Sequence, residues 1–200
     1  MNPSDASAVL STASERPLTV LLFFRGDWCP FCQAWLRELD RDFRERVEAV
    51  GGRIVAVTSH GEAGADHART AWGLRFPVLS QPDNALARRY GVAITPRAAT
   101  PLAGHPTEYP DGMAQPAAIA LDAAGNVLYR WAIDPAEANL GGASDRPLPA
   151  ELWSAIEAAR RGEPVAPFRG DRLDPAFLAA HYPAQHEVFV GWMAAAAAAR

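Results

Sequence analysis

The chemistry of this chain begins at its only two cysteines, Cys29 and Cys32, in the run Trp28-Cys29-Pro30-Phe31-Cys32. Two thiols at that spacing suit a reversible exchange between dithiol and disulfide. They are too close to act as a structural staple, because the entropic benefit of a cross-link grows with the loop it closes. Pro30 fits the first position of a helix, where its missing N–H costs nothing. A helix starting there sets the Cys29 sulfur beside unsatisfied backbone N–H groups and the positive end of the helix dipole. Both favour the thiolate, so the Cys29 pKa is expected below the roughly 8.5 of a free cysteine. Cys32, one turn on, is expected beneath Cys29 and more buried. On this reading Cys29 attacks, and Cys32 resolves the mixed disulfide or sulfenic acid that forms. Two other readings stay open. The pair could hold metal, although it supplies only two of the four ligands structural zinc needs, so a dimer would have to pool two pairs. Or both thiols could be small core hydrophobes at a strand-to-helix junction.

The neighbours of the pair carry expectations of their own. Arg25 can favour the thiolate and Asp27 oppose it, or each can simply be solvated. Trp28 is expected either to shield the site and pack beside the disulfide or to be an ordinary surface-anchored side chain. The five histidines (60, 67, 105, 181 and 186) show no metal-ligand spacing and read as surface or loop residues.

Elements must position these groups. Leu18 to Phe24 is an unbroken apolar run, the mark of a strand covered on both faces. A short connector, Arg25 to Trp28, leads into a helix whose apolar stripe runs Cys32, Leu36, Leu39, Phe43, Val47, Val50 and ends at Gly51-Gly52. Arg53 to Thr58 reads as a second buried strand, Glu62 to Trp72 as a helix and Phe76 to Leu79 as a short strand. Pro82-Asp83-Asn84 opens a helix through Tyr90, stopped by Gly91. Residues 95–116 hold five prolines (96, 101, 106, 110 and 116) and read as a long loop. Ala117 to Leu121 and Val127 to Trp131 flank a turn with Gly125 and form a hairpin. Pro149 to Arg161 is an amphipathic helix. The plan is α/β, and ligands in such folds gather at the carboxyl ends of the strands, where Cys29 lies. The expected division is an N-terminal arm (1–16), a core domain (17–162) and a helical C-terminal extension (163–200) carrying Phe177, Tyr182, Phe189 and Trp192. Burial of that extension against its own domain is the default expectation, and closure of a homodimer the alternative.

Composition narrows the function. The 200 residues are 49% hydrophobic and 21% charged, which suits a folded domain. Net charge is −4, and all 19 basic residues are arginine, so lysine chemistry is excluded. This balance leaves no basic footprint for nucleic acid or an anionic membrane surface. No apolar run approaches the roughly 20 residues of a membrane span. Residues 1–17 lack the basic start and apolar stretch of a secretory signal, so a cytoplasmic, reducing compartment is expected.

The segment Phe24-Arg-Gly-Asp-Trp-Cys-Pro-Phe-Cys-Gln33 resembles the active-site segment of thioredoxin-fold proteins. It is closest to the peroxiredoxin-like branch of the alkyl hydroperoxide reductase/thiol-specific antioxidant (AhpC/TSA, redoxin) family. Phe76 to Asp83, Ala87 to Val92, and Gln115 to Asp122 with Gly125 and Tyr129-Arg130 extend the resemblance over about residues 17–160. It implies a thioredoxin-like fold, with a central mixed sheet flanked by helices. It also implies a cis Pro116 facing the dithiol, with the Gln115 backbone offered to a substrate. Trp28 and Pro30 complete the expected substrate surface. No metal or bound organic cofactor is expected; the reductant is an external thiol of thioredoxin or glutathione type, and the substrate a small peroxide or a protein disulfide.

The family pattern also breaks. Peroxiredoxins carry a Pro seven residues and a Thr or Ser three residues before the attacking cysteine; here Leu22 and Gly26 stand there. Their catalytic arginine precedes the late strand, where this chain has Pro116. Arg25 or Arg130 is left to substitute. These departures favour thiol–disulfide exchange, with thiol peroxidase as the alternative and a redox-sensing or binding module as the third reading.

Overall fold

The computed structural model describes residues 16–96, 109–133, 146–166 and 168, together with scattered positions between 179 and 194 that are all helical. Five strands form one sheet: β1 (Thr19–Phe24), β2 (Arg53–Thr58), β3 (Val78–Ser80), and, later in the chain, β6 (Ala117–Leu121) and β7 (Val127–Ala132). Their order is β3-β2-β1-β6-β7. β1 pairs parallel with β2, from Thr19 opposite Arg53 to Phe24 opposite Thr58, and antiparallel with β6. The sheet is therefore mixed, as expected, with β1 at its centre.

β1 has no polar face because both of its faces are covered. Leu18, Val20, Leu22 and Phe24 enter one core, which the helices α1 (Pro30–Asp42) and α5 (Pro149–Arg160) close. Leu21 and Phe23 enter a second core on the opposite face, closed by Leu86, Ala87 and Tyr90 at α4 (Ala85–Arg89). Each such side chain contributes roughly 1.5–3 kcal/mol of burial. The remaining helices are α2 (Arg44–Ala49) and α3 (Glu62–Ala71). The β6–β7 hairpin turns where expected: Asp122 Oδ1 accepts from the N–H groups of Ala124 and Asn126 at 2.9 and 2.8 Å, and Gly125 takes φ 81°.

Two expectations need correction. The helix expected from Pro30 to Val50 is two helices, broken at Phe43, whose φ is −114°. The apolar stripe runs through the break because Phe43 and Val47 both stay fully buried on the same core. The stretch 95–116 is not wholly loop: β4 (Ile94–Thr95) and β5 (Met113–Ala114) form a small antiparallel ladder at its ends. Two-residue strands carry no readable periodicity. Residues 1–15 of the expected N-terminal arm, and Phe177, Tyr182, Phe189 and Trp192, lie outside the described residues. Among the described residues no helix is long and apolar enough to cross a membrane.

Candidate active site

The carboxyl end of β1 delivers its chain directly to the first turn of α1. Cys29 is the N-cap of α1 in extended conformation (φ −85°, ψ 105°), and Pro30 begins the helix. The Cys32 N–H donates to Cys29 Sγ at 3.3 Å, as an N-cap side chain requires. Both cysteines are free thiols, and their sulfurs lie 2.6 Å apart.

The expected difference in exposure is absent: Cys29 and Cys32 are both 0% exposed. Burial is the largest influence on Cys29, and together with the neighbouring Cys32 sulfur it pushes the Cys29 thiol well up, against the pull of Arg146 and Arg25. Burial also opposes ionisation of Cys32. There the hydrogen bond with Cys29, the charges of Arg146 and Arg25, and a backbone hydrogen bond from Arg25 outweigh it and hold the thiol well below its usual range. The two sulfurs thus move apart in proton affinity, Cys29 upward and Cys32 downward, the opposite sense to the expected Cys29 thiolate. Covering the helix start removed the solvent that an anion on Cys29 would need, and one backbone N–H does not replace it.

Arg25, the first residue after β1, is 1% exposed and directs its charge at both sulfurs. Its Nε and Nη2 donate to Gln115 Oε1 at 3.1 and 2.9 Å, and Gln115 Nε2 donates to Thr95 Oγ1 at 2.8 Å. Arg25 is thus held from two sides of the fold. Arg130 plays no such part; its Nε donates to Tyr90 O at 3.1 Å, at the end of α4.

Gln115 and Pro116 also need correction. The described residues contain no cis peptide bond, so the Gln115–Pro116 bond is trans. The Gln115 N–H donates to Ala93 O at 2.8 Å and Pro116 O accepts from Ile133 N at 3.0 Å. Their backbone serves the fold, both residues are buried, and the task of Gln115 is to hold Arg25. Trp28 and Pro30, by contrast, flank Cys29 and stay partly exposed.

Two residues that the sequence reading passed over complete the site. Tyr109 is fully buried; its hydroxyl donates to Arg25 O at 3.0 Å and accepts from Trp28 Nε1 at 2.7 Å. A Cβ added to Gly26 would stand 2.2 Å from that hydroxyl. The Thr or Ser of the family pattern is therefore excluded from position 26 by Tyr109 itself. His60 stacks on the Tyr109 ring at 5.2 Å between centroids. Its Nδ1 is 3.1 Å from Asp27 Oδ1, while His67 Nδ1 is 2.8 Å from Asp27 Oδ2. His60 is thus a buried residue rather than the surface residue expected, because Tyr109 covers it. Asp27 faces these histidines rather than the sulfurs. The second addition is Arg146, whose Nη1 donates to Phe31 O at 3.0 Å and Nη2 to Cys32 Sγ at 3.5 Å. No local signal marks either residue, since each arrives from a distant segment. Among the described residues no cluster of three or more His, Cys, Asp or Glu side chains could hold a metal ion.

Comparison with known proteins agrees with this architecture. The family model described as "AhpC/TSA family" matches residues 4–130, more than half of the chain. No curated protein matches. The structure is similar to that of AhpC from Enterococcus faecalis, at 19% identity and a TM-score of 0.53 over 76% of this chain and 81% of that one. It is likewise similar to the peroxidoxin BcpB of Mycobacterium tuberculosis, at 14% identity and a TM-score of 0.54 over 76% of this chain and 84% of that one. A reduced 2-Cys peroxiredoxin of Plasmodium vivax gives 14% identity and a TM-score of 0.53 over 74% and 80%. These likenesses, with the mixed sheet and its flanking helices, show a thioredoxin-like fold.

Proposed function

The chain belongs to the AhpC/TSA family of thiol-dependent oxidoreductases, and from that premise we propose that its reaction is thiol–disulfide exchange at Cys29 and Cys32. One observation carries the reading: two free sulfurs lie 2.6 Å apart on the first turn of α1, already within reach of each other. Cys29 attacks the substrate disulfide and Cys32 resolves the mixed disulfide. Trp28 and Pro30, the partly exposed residues on either side of Cys29, form the surface a substrate meets first. An external thiol of thioredoxin or glutathione type returns the electrons, and the cycle needs no bound cofactor.

A thiol peroxidase is the second reading, favoured by the family and by one feature of the site. The charge of the buried Arg25 acts on both sulfurs, so a cation is present to polarise a bound peroxide. Rapid mixing of reduced protein with hydrogen peroxide, and separately with glutathione disulfide, tests the two. Exchange predicts brisk reaction with the disulfide and oxidation by peroxide no faster than that of an ordinary free thiol; the reverse pattern selects the peroxidase. Substitution tests the roles. Cys29→Ser is expected to abolish turnover and Cys32→Ser to trap a mixed disulfide on Cys29, found by peptide mass mapping. Cys29→Ser trapping a substrate on Cys32 reverses the assignment.

A further inference from the structure

Arg146 joins the dithiol from 114 residues away in sequence. It is 2% exposed, so its position is fixed by packing rather than by solvent. Three features of α1 receive its guanidinium: Phe31 O at 3.0 Å, Cys32 Sγ at 3.5 Å and the face of Trp35, 5.4 Å from the ring centroid. The next residue is anchored to the same helix, because Trp35 Nε1 donates to Pro147 O at 3.0 Å. The cation is therefore clamped to the turn that carries Cys32. At the other sulfur, the backbone N–H of Cys32 occupies Cys29 at 3.3 Å.

We propose that Arg146 sets the charge of the dithiol: it holds the reduced pair as a monoanion with the charge on Cys32 Sγ, and this sulfur takes the Cys29 proton when Cys29 attacks. The inference rests on the exchange reading above. The groups facing Cys32 are Cys29 on its own helix, Arg25 at the end of β1 and Arg146 before α5. Of the two guanidiniums, Arg25 is engaged by Gln115, and Arg146 is the one seen to donate to the sulfur.

The step balances. The resting pair is Cys29 thiol and Cys32 thiolate. As Cys29 Sγ bonds to one sulfur of a substrate disulfide, its proton crosses the 2.6 Å to Cys32 and the first substrate thiolate leaves. That thiolate then takes the proton from Cys32. Cys32 Sγ, again an anion, attacks Cys29 Sγ and expels the second substrate thiolate. Two electrons pass from the dithiol to the substrate, and the overall charge is unchanged.

Arg146→Met and Arg146→Lys test this in the full chain, with thiolate absorbance titrated against pH and the dithiol equilibrated with glutathione buffers. Losing the cation raises the midpoint of the first thiolate by about one unit, a tenfold change in ionisation. It also withdraws support from the reduced form, moving the glutathione equilibrium about tenfold toward the disulfide, or about 30 mV. Arg146→Lys keeps the charge and recovers most of both shifts, which a merely structural role does not predict. An Arg146→Met protein that is folded by circular dichroism and keeps the wild-type midpoint overturns the inference. Should that variant not fold, Cys29→Ser leaves Cys32 as the sole thiol. A depressed Cys32 titration then supports the inference, and an ordinary one overturns it. Wild-type protein that glutathione disulfide fails to oxidise sinks the exchange reading instead, and the titrations still decide the role of Arg146.

Discussion

A cysteine at a helix N-cap is usually activated by its position, but here position and burial act in opposite directions. The helix start offers Cys29 one backbone N–H at 3.3 Å, while complete burial penalises its charged form. Cys32 is equally buried, but there the hydrogen bond with Cys29 and the charges of Arg146 and Arg25 outweigh burial and lower its pKa. This split has a consequence for stability. The folded Cys32 pKa is depressed, so between that value and the roughly 8.5 of a free thiol the unfolded chain binds more protons and stability rises with pH. The folded Cys29 pKa is raised, so above about 8.5 the native state binds more protons and stability falls. The reduced protein is therefore expected to be most stable near the ordinary thiol pKa. The oxidised protein has neither group and lacks this maximum. Melting temperatures of both forms across that range check it, and identical profiles would remove the basis for the charge assignment. From the sequence, Pro30 and the cap at Cys29 were legible because both are local. The opposed shifts of the two thiols were not, since they depend on complete burial and on Arg146, which no neighbouring residue announces.

At the level of elements, the strands readable in advance were those with a distinctive burial pattern. β1 and β2 lie between two cores and therefore read as unbroken apolar runs, and the β6–β7 hairpin carries its own turn residues. The break in the long helix was hidden, because α1 and α2 present one continuous face to the same core. Phe43 is the joint. It ends α1 with its N–H on Leu39 O at 3.1 Å, caps α2, and meets Trp153 of α5 edge-on at 6.0 Å between ring centroids. Nearby, Asp40 accepts from the Arg75 N–H and Nε at 3.0 and 2.8 Å, tying α1 to the chain before β3. Phe43→Ala is expected to cost about 3–5 kcal/mol in urea unfolding, the range for truncating a buried aromatic. The dithiol is more than a full turn away, so titration of the reduced pair should keep its wild-type midpoint in the folded variant. A loss below about 1 kcal/mol would mean that the core closes around the gap, contrary to ordinary cavity costs.

For the molecule as a whole, the dithiol is a site assembled from four stretches of chain. β1 and α1 contribute the sulfurs and Arg25, β4 and β5 lead Thr95 and Gln115 to Arg25, Tyr109 covers the connector, and Arg146 braces the helix start. Asn84 helps hold this together; at φ 54° its Nδ2 donates to the Asp111 and Gly112 carbonyls at 3.1 and 3.0 Å, while its Oδ1 accepts from Ser59. Such an assembly leaves both sulfurs with no exposed surface, so reaction with any outside molecule requires an opening. Tyr109 is the side chain whose displacement is expected to open the site, because its hydroxyl bridges Trp28, next to Cys29, and the Arg25 carbonyl, and its ring lies on His60. A hydroxyl in two hydrogen bonds contributes about 1–3 kcal/mol, which sets the scale of that opening. Tyr109→Ala is therefore expected to speed alkylation of the native dithiol by roughly tenfold or more, since each 1.4 kcal/mol is a factor of ten. Truncating this buried aromatic also lowers global stability, by about 3–5 kcal/mol, so the urea midpoint falls and the acceleration alone does not identify the route. Sub-denaturing urea separates the two routes: local opening leaves the alkylation rate nearly flat until the transition begins, whereas global unfolding makes it climb with the full denaturant slope. A steep climb in the wild type, with Tyr109→Ala matching its loss of stability, would assign the burial of this dithiol to the whole fold and not to a cover over it.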